Sequence, residues 1–547
     1  MNLFVVIPGI VFSMFSVITL SYISMATVVG PWMAPLIVLM SSILLKFRKV
    51  AKSRSQTNQE LALIQTVGSI GGLIATGVGF SLPTLYFLNP VIFNEMLKAP
   101  LYFAVFIGTL CLCAGGLGIW LARCFAQRFV KQEDLKFPVS QLIYKTITSG
   151  NQAKQAKKMF FGLGASWIFC FLRDGFLSFK GFIPKQISIL PSLLGSSIII
   201  PMVPMYWAIG FITGIKIVFP LLVGMLSKYF VLWPINNHSL YLPFNLFSVM
   251  SDVDFSTAFC SGLVVAELAL GLAKYPAIFC SNLKKCSGFN VLGKIKSIKT
   301  FFAAPGKSII GFEAVFVLSL SFAFLTYLKF NFIAQILLIA FTIAATYQLS
   351  YLGCKIGLVT FGRFATFIMI PMMLMFKLDF MQITMLCVFF NVCSAAASDL
   401  LFDYKVGQLC DISPKRIHRY QWLGLIVTAL CIGFFLWLLF SNFQLGSPEL
   451  FGQRGKTRAL LIQSVGFNLW VLFFGFLFGW LLKKLKVSPT MVLGGILMPN
   501  SLTIGLIIGA VCSWLSKEPS EQEPAWSGIF AGESVWMLVS ILTKMFL

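Results

Sequence analysis

Three acidic residues stand inside apolar runs. Glu267 lies within the stretch 263–270, Glu533 follows Gly532 in the last apolar segment, and Asp399 ends a run whose Asn391, Ser394 and Ser398 form a polar stripe. A carboxylate at the centre of a bilayer costs several kcal/mol unless it is paired, hydrated or neutralised. Binding a proton neutralises it, so all three are candidates for proton coupling. Two of them also have a structural reading, Glu267 as the ion-pair partner of Lys216 or Lys228 and Asp399 as that of Lys405. No Walker A sequence, no HExxH and no paired-carboxylate segment in a soluble loop accompanies them, so no catalytic residue and no enzymatic reaction is expected. The two histidines, His238 and His418, are far apart, and the 13 cysteines show no CxxC spacing, which leaves no resident metal site or cofactor to expect.

Neutral polar residues supply a second set of candidates. At helical spacing Gln65, Ser69, Gly72 and Thr76 share one face of the stretch 61–80, with Gly68 beside them. That face fits either a tight helix contact or the wall of a substrate path. The segment 135–150 is too short and polar to cross a bilayer, and its Pro138, Ser140 and Gln141 open an amphipathic turn. It reads as a re-entrant or interfacial helix bordering a cytoplasmic cavity, or as a surface loop. Pro83, Pro138, Pro201, Pro204, Pro489 and Pro499 mark expected helix breaks, the last followed by Asn500. Each proline removes an amide donor and leaves a carbonyl free to face a ligand.

These residues need a membrane-embedded scaffold. Of 547 residues, 58% are hydrophobic and 11% charged, which excludes a water-facing fold. At roughly 20 residues per crossing the apolar content covers on the order of 15 helices. Runs such as 425–440 are apolar throughout, without the alternation a membrane β-barrel requires. The expected fold is therefore an all-α polytopic membrane protein of about 16 transmembrane helices, some broken or re-entrant. Their centres fall near residues 13, 37, 71, 110, 168, 200, 223, 264, 318, 341, 365, 389, 430, 469, 502 and 536. The first of these is read as a retained span, because the start has no basic region of the kind a signal peptide carries.

The net charge of +24 concentrates in loops after even-numbered crossings, at 46–54, 123–136, 274–307, 405–419 and 483–486. Basic loops stay in the cytoplasm, so both termini are expected there. Two clusters break the pattern, Lys180 with Lys185, and Arg454 with Lys456 and Arg458. No basic soluble domain exists to bind nucleic acid. The basic segment 274–307 divides a membrane half at 1–273 from another at 308–547, each of eight spans, as parallel repeats would be.

Several stretches, in order along the chain, resemble the oligopeptide transporter family, which includes the yellow stripe-like metal-chelate transporters, and especially its bacterial members. Leu61-Ala-Leu-Ile-Gln-Thr-Val-Gly-Ser-Ile-Gly-Gly through Phe80-Ser-Leu-Pro83 resembles the family's VQTxASAGG and FTxPAL. Asp399-Leu-Leu-Phe-Asp-Tyr-Lys-Val-Gly407, with Ser413-Pro-Lys-Arg-Ile-His-Arg, resembles QDLKTGYLVGATPxKQQ. Val487-Ser-Pro489 through Met498-Pro-Asn-Ser501, and Ala531-Gly-Glu-Ser534, resemble PxAxGxYLP and AGEA. Where the family has LPYPEG, this chain has Lys136-Phe137-Pro138-Val139-Ser140-Gln141, without the carboxylate, and no NPxSG-like element precedes the Asp399 region. The resemblance implies a proton-coupled symporter in the bacterial inner membrane that brings oligopeptides or siderophore-type metal chelates into the cytoplasm. Its expected partners are the small-molecule substrate, protons and lipid, with a homodimer as one assembly open to it. A chelated metal arrives with its ligands, so scarce histidine is no obstacle to a metal cargo. The competing readings are a non-transporting scaffold or receptor and a lipid-handling membrane enzyme.

Overall fold

The computed structural model describes residues 2–26, 33–46, 54–132, 135, 137–148, 152–175, 181–184, 186–193, 196–232, 307–356, 361–447, 450–463, 469–497 and 500–546, with 255, 256, 258–260, 262, 263, 265 and 266. Glu267, Pro499 and nearly all of the basic segment 274–307 lie outside these residues.

Helices dominate: α1 (Leu3–Ala26), α2 (Met33–Lys46), α3 (Arg54–Gly79), α4 (Pro83–Leu88), α5 (Pro90–Leu97), α6 (Pro100–Ala126), α7 (Pro138–Thr148) and α8 (Gln152–Asp174) come first. After a strand pair, β1 (Gln186–Leu193) and β2 (Ser196–Pro201), follow α9 (Pro204–Thr213) and α10 (Ile215–Ser227). The later part holds α11 (Lys307–Tyr327), α12 (Phe332–Ile356), α13 (Phe361–Met375), α14 (Phe380–Leu409), α15 (Pro414–Asn442) and α16 (Gln453–Gln463). It ends with α17 (Leu469–Lys484), α18 (Pro489–Leu497), α19 (Asn500–Leu515) and α20 (Pro519–Phe546).

Among the described residues six helical stretches are long and apolar enough to cross a bilayer: Leu3–Ala26, Ser55–Leu88, Pro100–Val130, Phe332–Tyr351, Phe380–Leu409 and Pro414–Asn442. Pro204–Thr213 and Val218–Leu232 pass the same test as a pair, a broken span or a re-entrant loop bent by 117°. The bend sits at Gly214, whose φ of +72° is the left-handed conformation that glycine adopts without strain. The crossing expected near residue 200 is not a helix. There β1 and β2 pair antiparallel, Gln186 opposite Pro201 and Ile187 opposite Ile200, with irregularities between Ser188 and Leu193. The reason is local: Ile198, Ile199 and Ile200 are β-branched and favour extended backbone, and Pro191 and Pro201 cannot sit inside a helix ladder.

Helix α14 is the centre of the molecule. Every residue from Gln382 to Tyr404 is buried, because α3, α6, α7, α12, α13 and α15 surround it. A helix apolar on all sides needs such a sleeve. Its start is fixed by a capping box, in which Asp379 accepts from the backbone of Gln382 while the Gln382 side chain accepts from Asp379 N–H at 3.1 Å. Helices from both sides of the basic segment interlock: α6 packs on α14 and α15, α8 on α20, α9 on α19, and α10 on α18. The outer surface carries Leu101, Phe312, Leu430 and Leu374, each more than 70% exposed. Large apolar side chains so exposed belong against lipid.

One contact is tight enough to depend on a missing side chain. A Cβ added at Gly118 of α6 would meet the Cys393 carbonyl oxygen of α14 at 2.1 Å. Only glycine lets the two backbones approach so closely.

Candidate functional site

The polar residues gather along the seam between α3 and α14. The two helices run antiparallel, since the contact positions fall on one as they rise on the other. Gln65 Nε2 donates to Asp403 Oδ1 at 2.9 Å, Ser69 Oγ donates to the Asp399 carboxylate at 3.0 and 3.1 Å, and Asn391 Nδ2 donates to Ser81 Oγ at 2.6 Å. From α15, Gln421 Nε2 donates to Asp399 Oδ2 at 2.9 Å, and Gln65 Nε2 also reaches Ser69 Oγ at 3.1 Å. Asp399 and Asp403 are one helical turn apart and so project on one face. Both are buried, at 3% and 1% exposure, and so are Gln65, Ser69 and Gln421.

No cation pairs with these two carboxyl groups among the described residues. The ion pair expected between Asp399 and Lys405 is absent. Six residues along a helix place Lys405 on another face, where Nζ donates to Gln408 Oε1 at 3.0 Å and lies 5.7 Å from the centre of the Phe137 ring. The partners of the pair are therefore neutral amides and a hydroxyl. Three further oxygens at this place make no hydrogen bond: Asp403 Oδ2, with the Thr66 hydroxyl beside it, Gln65 Oε1 and Gln421 Oε1. Two carboxyl groups so placed cannot both stay charged without a cation or water reaching them, because each buried charge costs several kcal/mol. Such a pair is equipped to take up and release a proton.

The seam continues past this pair. Ser394 Oγ lies 2.9 Å from Thr346 Oγ1 of α12, and Thr342 and Ser350, a turn to either side of Thr346, carry buried hydroxyls without a hydrogen-bond partner. Ser398 Oγ is likewise unpartnered.

Residues 1–543 match the family model described as OPT oligopeptide transporter protein. The chain belongs to the oligopeptide transporter family. No curated protein matches it.

In this oligopeptide transporter family member the structure brings Gln65, Ser69 and Asp399 into one cluster and sets Asn391 and Ser394 farther along the same seam. Thr76 is on the seam but bonds back to the Gly72 carbonyl at 2.8 Å. Pro138 starts α7 and, like Gln141, faces outward, whereas Ser140 Oγ donates to the Phe402 carbonyl at 2.9 Å, beside Asp403. Asn500 lies apart from the seam residues and bonds to the Tyr229 hydroxyl.

Glu533 sits in a clasp of donors. Arg173 Nη1 donates to its Oε1 at 2.5 Å, and the Met205 N–H at the start of α9 donates to its Oε2 at 2.6 Å. Arg173 also grips Asp174 through Nε and Nη2, at 2.9 and 2.7 Å, and Trp536 Nε1 donates to Asp174 Oδ2 at 3.2 Å. With both oxygens engaged by a guanidinium and a helix start, the group ties α8, α9 and α20 together. Glu533→Ala leaves a buried guanidinium short of a counter-charge, so it is expected to cost about 3 kcal/mol. The check is thermal unfolding of the detergent-purified protein, and an unchanged midpoint would remove the clasp from the stability of the fold.

Sequence reasoning missed Asp403, Gln421, Arg173 and Arg458. Asp403 had an available signal, its four-residue spacing from Asp399, and it occupies a position where the family segment QDLKTGYLVG has glycine. Glu313 of α11 was also missed. It accepts from Arg123 at 2.7 Å, His418 Nε2 at 2.9 Å and Trp422 Nε1 at 3.0 Å, while the Tyr404 hydroxyl lies 3.3 Å from His418 Nδ1. This second network fastens α6, α11 and α15 to α14 just beyond Asp403.

Proposed function

We propose that the protein is a secondary transporter that takes oligopeptides or peptide-like metal chelates into the cytoplasm together with protons. The observation that carries this reading is the buried pair Asp399 and Asp403, held by neutral donors from α3 and α15, with no cation beside it among the described residues. A carboxyl pair in that setting changes charge when it exchanges a proton with water. Helices that have to accommodate that change couple it to a movement. The unsatisfied oxygens along α3, α12 and α14 give a path with hydrogen-bond capacity to spare. In this reading the membrane is the plasma membrane of a bacterial cell, and the two ends of the chain, separated by an even number of crossings, face the cytoplasm. The basic clusters at 46–54 and 405–419 support that orientation.

The test is uptake into proteoliposomes with an imposed pH gradient, alkaline inside. A labelled tripeptide and a labelled iron chelate are offered separately. Accumulation of either one, abolished by a protonophore, is the expected result. Uptake no greater than that of empty vesicles for both compounds would overturn the proposal.

A further inference from the structure

The opposite end of the α3–α14 seam carries a buried positive charge. Asn391 and Asp403 are about 18 Å apart along α14 at a rise of roughly 1.5 Å per residue. At the Asn391 end, α3 stops at Gly79 and α4 begins at Pro83. Thr84 N–H turns back to the Ser81 carbonyl at 3.0 Å, so the Phe80 carbonyl lacks the partner that a continuous helix would give it. Arg458 of α16 fills that role. Its Nη1 donates to the Phe80 carbonyl at 3.2 Å, to Ser81 Oγ at 3.0 Å and, at 3.5 Å, to Thr84 Oγ1, while Nη2 reaches the Gly362 carbonyl at 3.5 Å.

Every acceptor in that set is neutral. Arg458 is 3% exposed, its Nε has no acceptor, and no carboxylate pairs with it among the described residues. Beside it, Asn391 Oδ1 is buried without a hydrogen-bond partner, and Asn391 Nδ2 shares Ser81 Oγ with the guanidinium. Arg454, one turn earlier on α16, lays its guanidinium 4.0 Å from the centre of the Phe80 ring. Burying an isolated cation costs several kcal/mol, and dipoles return only part of it. A carboxylate returns more, because the guanidinium fork meets both its oxygens.

We infer that Arg458 binds a carboxylate of the transported molecule at the α3–α4 break. The assignment rests on the transport reading above and names the group that this reading leaves open. It gives the seam two poles, a guanidinium where helix α3 is interrupted and an acid pair farther along α14, so a substrate bearing both charges lies along it in one direction. It also gives the helix break a purpose, since the interruption exposes the Phe80 carbonyl that steers the fork.

The experiment compares a labelled tripeptide with the same peptide capped as a C-terminal amide. Wild-type vesicles are expected to favour the free acid by about 30-fold, the scale of a lost charge-assisted hydrogen-bond pair. In Arg458→Gln the preference is expected to fall to within about 3-fold of parity, and in Arg458→Lys, which keeps the charge without the fork, by at least about 5-fold. Equal uptake of acid and amide by the wild type, or an undiminished preference in either variant, overturns the assignment. If Arg458→Gln does not fold, the lysine variant decides. Thermal stabilisation separates the two readings: a wild-type protein that accumulates neither peptide, yet is stabilised by the acid and not by the amide, retains the site and loses the transport reading. Absence of both responses overturns both.

Discussion

Replacing Asp399 and Asp403 together by asparagine is expected to reduce uptake driven by a pH gradient at least about 100-fold, to the level of empty vesicles, while exchange of labelled for unlabelled substrate stays within about threefold. Asparagine keeps the shape and one acceptor oxygen. Placed at the Oδ2 position of residue 399 that oxygen still accepts from Ser69 and Gln421, and at the Oδ1 position of residue 403 it still accepts from Gln65. What the variant loses is a group that gains and sheds a proton. The substrate path stays open and its coupling is gone. Of the single changes, Asp403→Asn is expected to have the larger effect. Both oxygens of Asp399 already accept hydrogen bonds, whereas Asp403 Oδ2 has only the Thr66 hydroxyl beside it and is the less engaged position. An amide nitrogen there imitates the protonated acid permanently. The fold should not suffer, because removing an uncompensated buried charge is neutral or stabilising. Gradient-driven uptake that survives the double change would remove these acids from the mechanism and leave Glu267 and Glu533 as the remaining candidates of the original three.

The second large effect concerns the wall behind the site. Gly118→Leu places a branched side chain where a single Cβ would already stand 2.1 Å from the Cys393 carbonyl, and backbone atoms cannot step aside as a flexible side chain can. No monodisperse protein is expected from it. The smaller Gly118→Ala is expected to cost about 3 kcal/mol, the upper end for an overpacked core. Both are checked by fluorescence size-exclusion profiles before and after heating. A leucine variant that elutes and melts like the parent would show that α6 and α14 can separate without harm.

How much of this could be seen in the chain itself differs from feature to feature. The membrane-embedded helical fold was visible because apolar content and the lack of strand alternation are properties of composition and period. Gln65, Ser69 and Asp399 were visible because polar groups are costly in hydrocarbon and stand out there. Their meeting was not visible, since it depends on α3 and α14 running antiparallel in a particular register, and nothing local to either segment specifies that. Asp403 was hidden for another reason. Read beside Lys405 it looks like part of a basic helix end, and only burial through Tyr404 shows that the apolar sleeve extends past it. Arg458 was counted as a loop charge that broke the topology rule. The rule applies to residues in water, and Arg458 lies inside the protein against the Phe80 carbonyl and Ser81. The strand pair at 186–201 shows the converse limit, where apolar content alone reads as a span although its branched residues and prolines favour extended backbone.

The complete enclosure of α14 constrains how this molecule can work. A helix with no lipid-facing side cannot tilt or slide unless its neighbours first make room. Under the proposed transport function the acids are carried by a stationary shaft, and exposure to one compartment or the other comes from the jacket turning around it. The hinge to look for lies in the interrupted element of that jacket, at residues 80–82 between α3 and α4, instead of in the shaft that bears the charges.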